Sequence, residues 1–267
     1  MSQKSRQSPT FGTTSVAPSA GTIRTRIKIC GLTREADVDA AVAAGADAVG
    51  FVLYQKSPRY VSPERAAELA RRLPPFVTPV LLFVNETTTK IIAACEGIAG
   101  AAVQFHGEET PEQCLIATHQ GARPFLRAAR IPLGDAGRHF DLVKYTQDYS
   151  KAQAILLDAQ VDGYGGGGQA FNWSLLPPNV NAHLVLSGGL NAANVAEGIL
   201  QVRPRCKSLA VDVSSGVEVS GPGNQGIKDP EKINRFVAAV RAADQQFEKL
   251  AGQTAVTRSE QALSSTD

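Results

Sequence analysis

Apolar and polar positions along this chain follow two periods in turn. Short, almost wholly apolar runs suit strands buried on both faces. They lie at Arg26–Cys30, Ala48–Leu53, Thr78–Val84, Ala101–Phe105, Pro124–Ala128, Ala154–Asp158, His183–Leu186 and Leu209–Val213. Between them run stretches with helical spacing. Thr33 is placed to cap a helix over Arg34–Ala44, Ser62-Pro63-Glu64 opens another, and Glu86–Cys95 is a third. Thr110-Pro111-Glu112 opens a fourth, Asn191–Leu200 fits one more, and Pro230–Ala243 closes the series with Ile233, Phe236, Val237 and Val240 inward. The pattern is weakest over residues 131–151, where Pro132, Gly134 and Gly137 allow only a short or irregular helix. Asp162–Gln169 reads as a Gly-rich loop and Phe171–Leu176 as a short helix or turn. Eight strand signals alternating with helices predict an α/β fold, a closed (β/α)8 barrel of the TIM type. An open doubly wound sheet is the alternative. It fits less well because the polar groups follow many strands instead of one switch point.

With 267 residues, 43% of them apolar, the chain can build one sizeable core. The expected domains are a disordered tail over 1–25, a barrel over 26–245 and a polar C-terminal tail over 246–267. A net charge of +2 argues against nucleic acid or a membrane as the main partner, and no apolar run is long enough to span a bilayer. No acidic residue precedes Glu35. A basic, Ser-rich start also fits an organelle transit peptide, although Pro9 and Pro18 weaken the amphipathic helix that reading needs. Cys30, Cys95, Cys114 and Cys206 form no CxxC pair, so they read as free thiols in a reducing, cytoplasmic setting. A monomer is expected over a dimer.

The candidate chemistry gathers at strand ends. The last two strands run straight into Ser187-Gly188-Gly189 and Ser214-Ser215-Gly216. Glycine lets backbone N–H groups approach an anion, and paired turns on adjacent strands can grip one phosphate from both sides. The same mouth would hold Cys30, Arg59, Asn85, Gln104, His106, Asp158 and Asp212. Cys30 is either a small core residue or a base or nucleophile. Asp158 is either solvent-facing or a catalytic acid. His106 is the only histidine placed at the mouth, so no metal site is expected, and no cofactor motif is present. Gly163–Gly168 is not followed by the Lys-Ser or Lys-Thr of a nucleotide loop.

The motifs KICGLT (Lys28–Thr33), GFVLYQKSPRYV (Gly50–Val61), FVN (Phe83–Asn85), VQFHGEE (Val103–Glu109), LLD (Leu156–Asp158), GGGGQAFNW (Gly165–Trp173), LSGGLNAANV (Leu186–Val195) and VDVSSGVE with PG and KD downstream (Val211–Asp229) occur in one order. In that order the chain resembles the N-(5′-phosphoribosyl)anthranilate isomerases of tryptophan biosynthesis, cofactor-free barrel enzymes acting on a small phosphosugar. The resemblance implies Cys30 as general base, Asp158 as general acid and Arg59 as the anthranilate carboxylate contact. It places Gln104, His106 and Asp212 along the substrate. It gives the phosphate to Gly188, Gly189, Ser215 and Gly216. The chain departs from the family pattern at Gly167, where Thr or Ser is common, and at Asn172, where Asp is common. Three rivals remain: the histidine-pathway sugar isomerase, which uses two aspartates where Cys30 would replace the first; a Lys28 Schiff-base aldolase; and a non-catalytic phosphosugar-binding module.

Overall fold

Eight parallel strands pair in sequence order and close on themselves, first against last. The computed structural model describes residues 24–160 and 170–264. The expected Gly-rich loop and almost all of the N-terminal tail lie outside the described residues. The strands are β1 (Arg26–Cys30), β2 (Ala48–Val52), β3 (Thr78–Phe83), β4 (Ala102–Phe105), β5 (Phe125–Ile131), β6 (Ala154–Ala159), β7 (His183–Leu186) and β8 (Ser208–Val213). The helices are α1 (Glu35–Ala43), α2 (Pro63–Ala70), α3 (Thr88–Glu96), α4 (Pro111–Ala117), α5 (Leu142–Asp148), α6 (Val195–Val202) and α7 (Pro230–Ser264).

Local chemistry explains most of these boundaries. Ser62 accepts from the Arg65 N–H ahead of Pro63, starting α2. Thr110 and Gln113 form a reciprocal capping box on α4. Thr33 does not cap α1. Its hydroxyl donates to the Gly226 carbonyl at 3.2 Å, and Arg34 precedes the helix without a side-chain cap. The helix expected at Asn191 starts later, at Val195. Asn194 ties back the segment before it, accepting from the Asn191 N–H at 2.9 Å and donating to the Gly189 carbonyl at 3.0 Å. A 3-10 turn (Gly134–His139) and the short α5 fill the weak stretch. The last helix begins at Pro230 as expected but runs on to Ser264. The apolar stripe ends near Ala243, yet Ala, Gln, Glu, Lys and Leu still favour helix.

Alternate residues on each strand face opposite sides. Ile27, Ile29, Phe51, Leu81, Phe83, Val103 and Phe105 belong to the large apolar layer between barrel and helices. Ala128, Leu156 and Val185 form a separate plug, and Cys30, Val52, Leu82 and Val84 form another. The segment before β1 is fastened to α7 and to the turn after α6. The Thr25 N–H donates to Asp244 Oδ2 at 2.9 Å, Arg203 pairs with Asp244 at 2.8 Å, and Arg241 donates to the Thr25 carbonyl at 2.8 Å. Thr25, assigned to the tail by sequence, is therefore fixed and buried.

Candidate active site

The parallel barrel brings every strand's C-terminal end to one mouth, and a belt of buried polar groups circles it. On β1, Lys28 and Cys30 are two residues apart and so share a face. Lys28 Nζ pairs with Asp212 Oδ1 of β8 at 2.8 Å, both side chains almost fully buried. Asp212 Oδ2 accepts from the Ser187 hydroxyl at the end of β7, at 3.1 Å. Beyond Ser187 comes Gly188, with φ +76°. A Cβ there would stand 2.9 Å from Asp158 Oδ1 and 2.7 Å from the Ala159 nitrogen, so the turn lies directly on the carboxyl group of β6. Asp158 Oδ2 is 2.9 Å from His106 Nε2, and His106 Nδ1 is 3.1 Å from the Gln104 amide nitrogen. Strands β4 and β6 are not neighbours in the sheet, so this contact crosses the mouth. With Gln104 Nε2 donating to Nδ1, the ring hydrogen sits on Nε2 and points at Asp158.

The two small-residue turns meet. A Cβ on Gly216 would fall 1.9 Å from the Leu190 carbonyl oxygen, so only glycine allows this approach. A 3-10 turn (Ser215–Val217) follows β8. Gly188, Gly189, Ser215 and Gly216 thus occupy one corner of the mouth, beside Asp158.

Arg59 lies over the end of β1, beside Ser214. Its Cδ is 2.6 Å from where a Gly31 Cβ would be, and Gly31 has φ +77°. Its Nε and Nη2 form a bidentate pair with Glu218 at 2.7 and 2.8 Å. Lys228 Nζ reaches the same carboxylate at 2.8 Å and the Ser214 carbonyl at 3.1 Å. The fork that the resemblance assigns to a ligand carboxylate therefore holds Glu218. Asn85, another mouth candidate, has φ +50° and accepts from the Glu108 N–H at 2.6 Å, bridging the loops after β3 and β4. Behind His106, Arg127 donates to the carbonyls on either side, Phe105 at 3.2 Å and Gly107 at 2.9 Å. Asn172 takes the cap that an aspartate would have supplied, accepting from Ser174 N–H at 3.0 Å. Gly167 lies outside the described residues.

Ionisation follows from these surroundings. Burial pushes the Cys30 thiol up, Lys28 pulls it back and Asp212 opposes Lys28; the balance is upward. Burial works against the Lys28 ammonium, but Asp212 and Cys30 outweigh it and hold the charge. A charged, paired amine is a poor Schiff-base nucleophile, which counts against the aldolase reading. Burial pushes Glu218 up, yet the Arg59 bonds and the Lys228 charge bring it down to about 2. Burial lowers Lys228 against the opposing pull of Glu218.

Sequence reasoning missed Glu218, Lys228 and Arg127 as parts of the site and named Lys28 only as the amine of a rival Schiff-base reading. For Lys28 the signal was present, since a spacing of two on a strand puts it beside Cys30. For Glu218 and Lys228 nothing but their place in the family motifs pointed inward. Arg127 reads as one more residue of a buried strand.

The family model described as N-(5'phosphoribosyl)anthranilate (PRA) isomerase matches residues 27–239. An N-(5'-phosphoribosyl)anthranilate isomerase of Methylibium petroleiphilum is 60% identical over 222 residues, covering 83% of this chain and 96% of that protein. A crystal structure of phosphoribosyl anthranilate isomerase in complex with reduced 1-(o-carboxyphenylamino)-1-deoxyribulose 5-phosphate superposes with a TM-score of 0.66. It is 38% identical and covers 82% of this chain and 99% of that one. A crystal structure of mutually generated monomers of the dimeric phosphoribosylanthranilate isomerase of Thermotoga maritima superposes with a TM-score of 0.63, at 35% identity, covering 82% of this chain and 99% of that one. The matched span runs from the second residue of β1 into α7 and holds every mouth residue named above. The chain belongs to the N-(5'-phosphoribosyl)anthranilate isomerase family.

Proposed function

We infer that this chain rearranges N-(5-phospho-β-D-ribosyl)anthranilate to 1-(2-carboxyphenylamino)-1-deoxy-D-ribulose 5-phosphate, a step of L-tryptophan biosynthesis, by acid–base chemistry without a cofactor. The observation that carries the residue roles is the belt itself. It puts a thiol on β1 and a carboxyl on β6 at one mouth, the carboxyl against a glycine turn suited to phosphate. Asp158 gives a proton to the furanose ring oxygen and the ring opens to an iminium. Cys30, as thiolate, takes the C2′ proton and leaves an enolamine. Tautomerisation adds at C1′ a proton equal to the one Cys30 gives up and passes the one from the C2′ hydroxyl to Asp158, which returns thiolate and carboxylic acid to their starting states. His106 orients Asp158 through Nε2, and Asp212 fixes the Ser187 end of the phosphate turn. Gln104 Oε1, buried without a partner among the described residues, suits a ribose hydroxyl. Arg59 takes the anthranilate carboxylate, either through its remaining nitrogen or by exchanging Glu218 for the ligand. Gly188, Gly189, Ser215 and Gly216 offer backbone N–H groups to the phosphate.

Positioned proton transfer is worth roughly 10²–10⁴-fold. Cys30→Ala and Asp158→Ala are therefore each expected to lower kcat by at least about 100-fold. Wild type is expected to rescue a tryptophan auxotroph lacking the isomerase, and the variants are not. Rescue by Cys30→Ala would remove the base from Cys30. A pure binding module would bind the product analogue and rescue nothing. The protein acts as a cytoplasmic monomer in this reading, which light scattering on the purified chain tests.

A further inference from the structure

We propose that Lys28 is a positioning residue that makes Cys30 competent as a base: its ammonium, anchored by Asp212, faces the sulfur across the side-chain-free surface of Gly50 and balances the charge of the thiolate. The inference rests on Cys30 being the base. Three pieces of geometry carry it. Lys28 and Cys30 lie on the same face of β1, and Asp212 holds Lys28 Nζ at 2.8 Å. Cys30 pairs in register with Gly50. A Cβ on Gly50 would sit 2.5 Å from Cys30 Sγ and 3.1 Å from Lys28 Nζ, so sulfur and ammonium flank one point. Any larger residue at position 50 would push the two apart.

Around them the other walls are apolar. Val52 of β2 and Leu82 of β3 pack with Cys30, and Tyr54 lies against that group. The charged groups that bear on the sulfur are Lys28 on its own strand, Asp212 on β8 and Lys228 between β8 and α7; Arg59 lies over the neighbouring Gly31. In such a setting the S–H bond breaks with its electron pair left on sulfur and its proton passed to solvent. Lys28 is the cation on the same strand face, and Asp212 keeps it charged while the sulfur cycles. The upward pull of burial on Cys30 is what this arrangement has to offset.

The test is a thiolate titration by ultraviolet absorbance, each protein differenced against the same protein carrying Cys30→Ser. Lys28→Met is expected to move the Cys30 midpoint up by about one pH unit, a tenfold loss of thiolate at a fixed lower pH. kcat should fall by the same factor near neutrality and recover partly at alkaline pH, with KM changing less. Lys28→Arg, which keeps the charge, should titrate near wild type. If Asp212 left alone prevents Lys28→Met from folding, the Lys28→Met/Asp212→Asn pair removes both charges and should still titrate above wild type. A Cys30 midpoint unmoved in folded Lys28→Met, or in the folded Lys28→Met/Asp212→Asn pair, overturns the proposal. That result with Cys30→Ser inactive sinks Lys28 alone. Full turnover in Cys30→Ser sinks the base assignment instead, whatever the titration shows.

Discussion

Gly188 carries two constraints at once. Its φ of +76° is open to glycine and strained for other residues, and its missing Cβ leaves room for Asp158. Gly188→Ala should therefore displace the carboxyl group that faces His106. A kcat loss of at least about tenfold is expected, with a stability loss on the order of 1–3 kcal/mol from overpacking. Stopped assays and urea melts of the same preparation check both. A variant with normal kcat would show that the acid tolerates movement. At this scale the sequence was informative about residue types and less so about partners. Gly188 and Asp158 were both visible as strand-end residues, but their contact depends on the β6–β7 pairing. Lys28 was visible only as a rival Schiff-base amine; its pairing beside Cys30 was hidden because its counter-charge, Asp212, lies far along the chain.

Among the elements, the loop between β8 and α7 carries a buried charge network. Glu218 joins Arg59 to Lys228, whose side chain is fully buried. Removing the acid leaves a buried cation unpaired, which typically costs about 3–5 kcal/mol. Glu218→Ala is expected to unfold at correspondingly lower urea and to raise KM through a loosened Arg59. Glu218 also shapes the acid limb. Its folded value of about 2 lies below the unfolded carboxylate near 4.3. Its contribution is therefore complete above roughly pH 4.3 and fades as pH falls towards 2. Urea midpoints across that window should fall with pH in wild type, and Glu218→Gln should flatten the slope. Element types were legible from the two periods of hydrophobicity between Arg26 and Ala243, while the helix that continues to Ser264 was expected as a polar tail. The ends that slipped did so through side chains that chose distant partners. Thr33 left its expected cap for Gly226, and Asn194 held residues 191–194 in a turn.

For the whole molecule, closure is the issue. β1 pairs with β8, so the sheet is sealed by segments from opposite ends of the chain. The Thr25, Asp244, Arg203 and Arg241 cluster clamps the same seam from below. Asp244→Ala should cost several times what an exposed ion pair would, about 3 kcal/mol, because it strips a buried partner from Arg203. Truncation after Gln253 should leave the melting temperature nearly unchanged, since this clamp lies upstream. Calorimetry on both distinguishes the clamp from the rest of α7. The barrel was readable from eight alternations; the clamp was not, because hydrogen bonds between remote polar residues leave no period in a sequence.

That seam sets an order on the protein's birth. A ribosome delivers β1 first, and its hydrogen-bonding edge waits for β8 until more than two-thirds of the chain has been made. Throughout that interval the nascent sheet has two open edges, the kind of surface that other strands join. Chains stalled before Ser208 should be protease-sensitive and bound by holding chaperones, and release of the segment through α7 should end both at once.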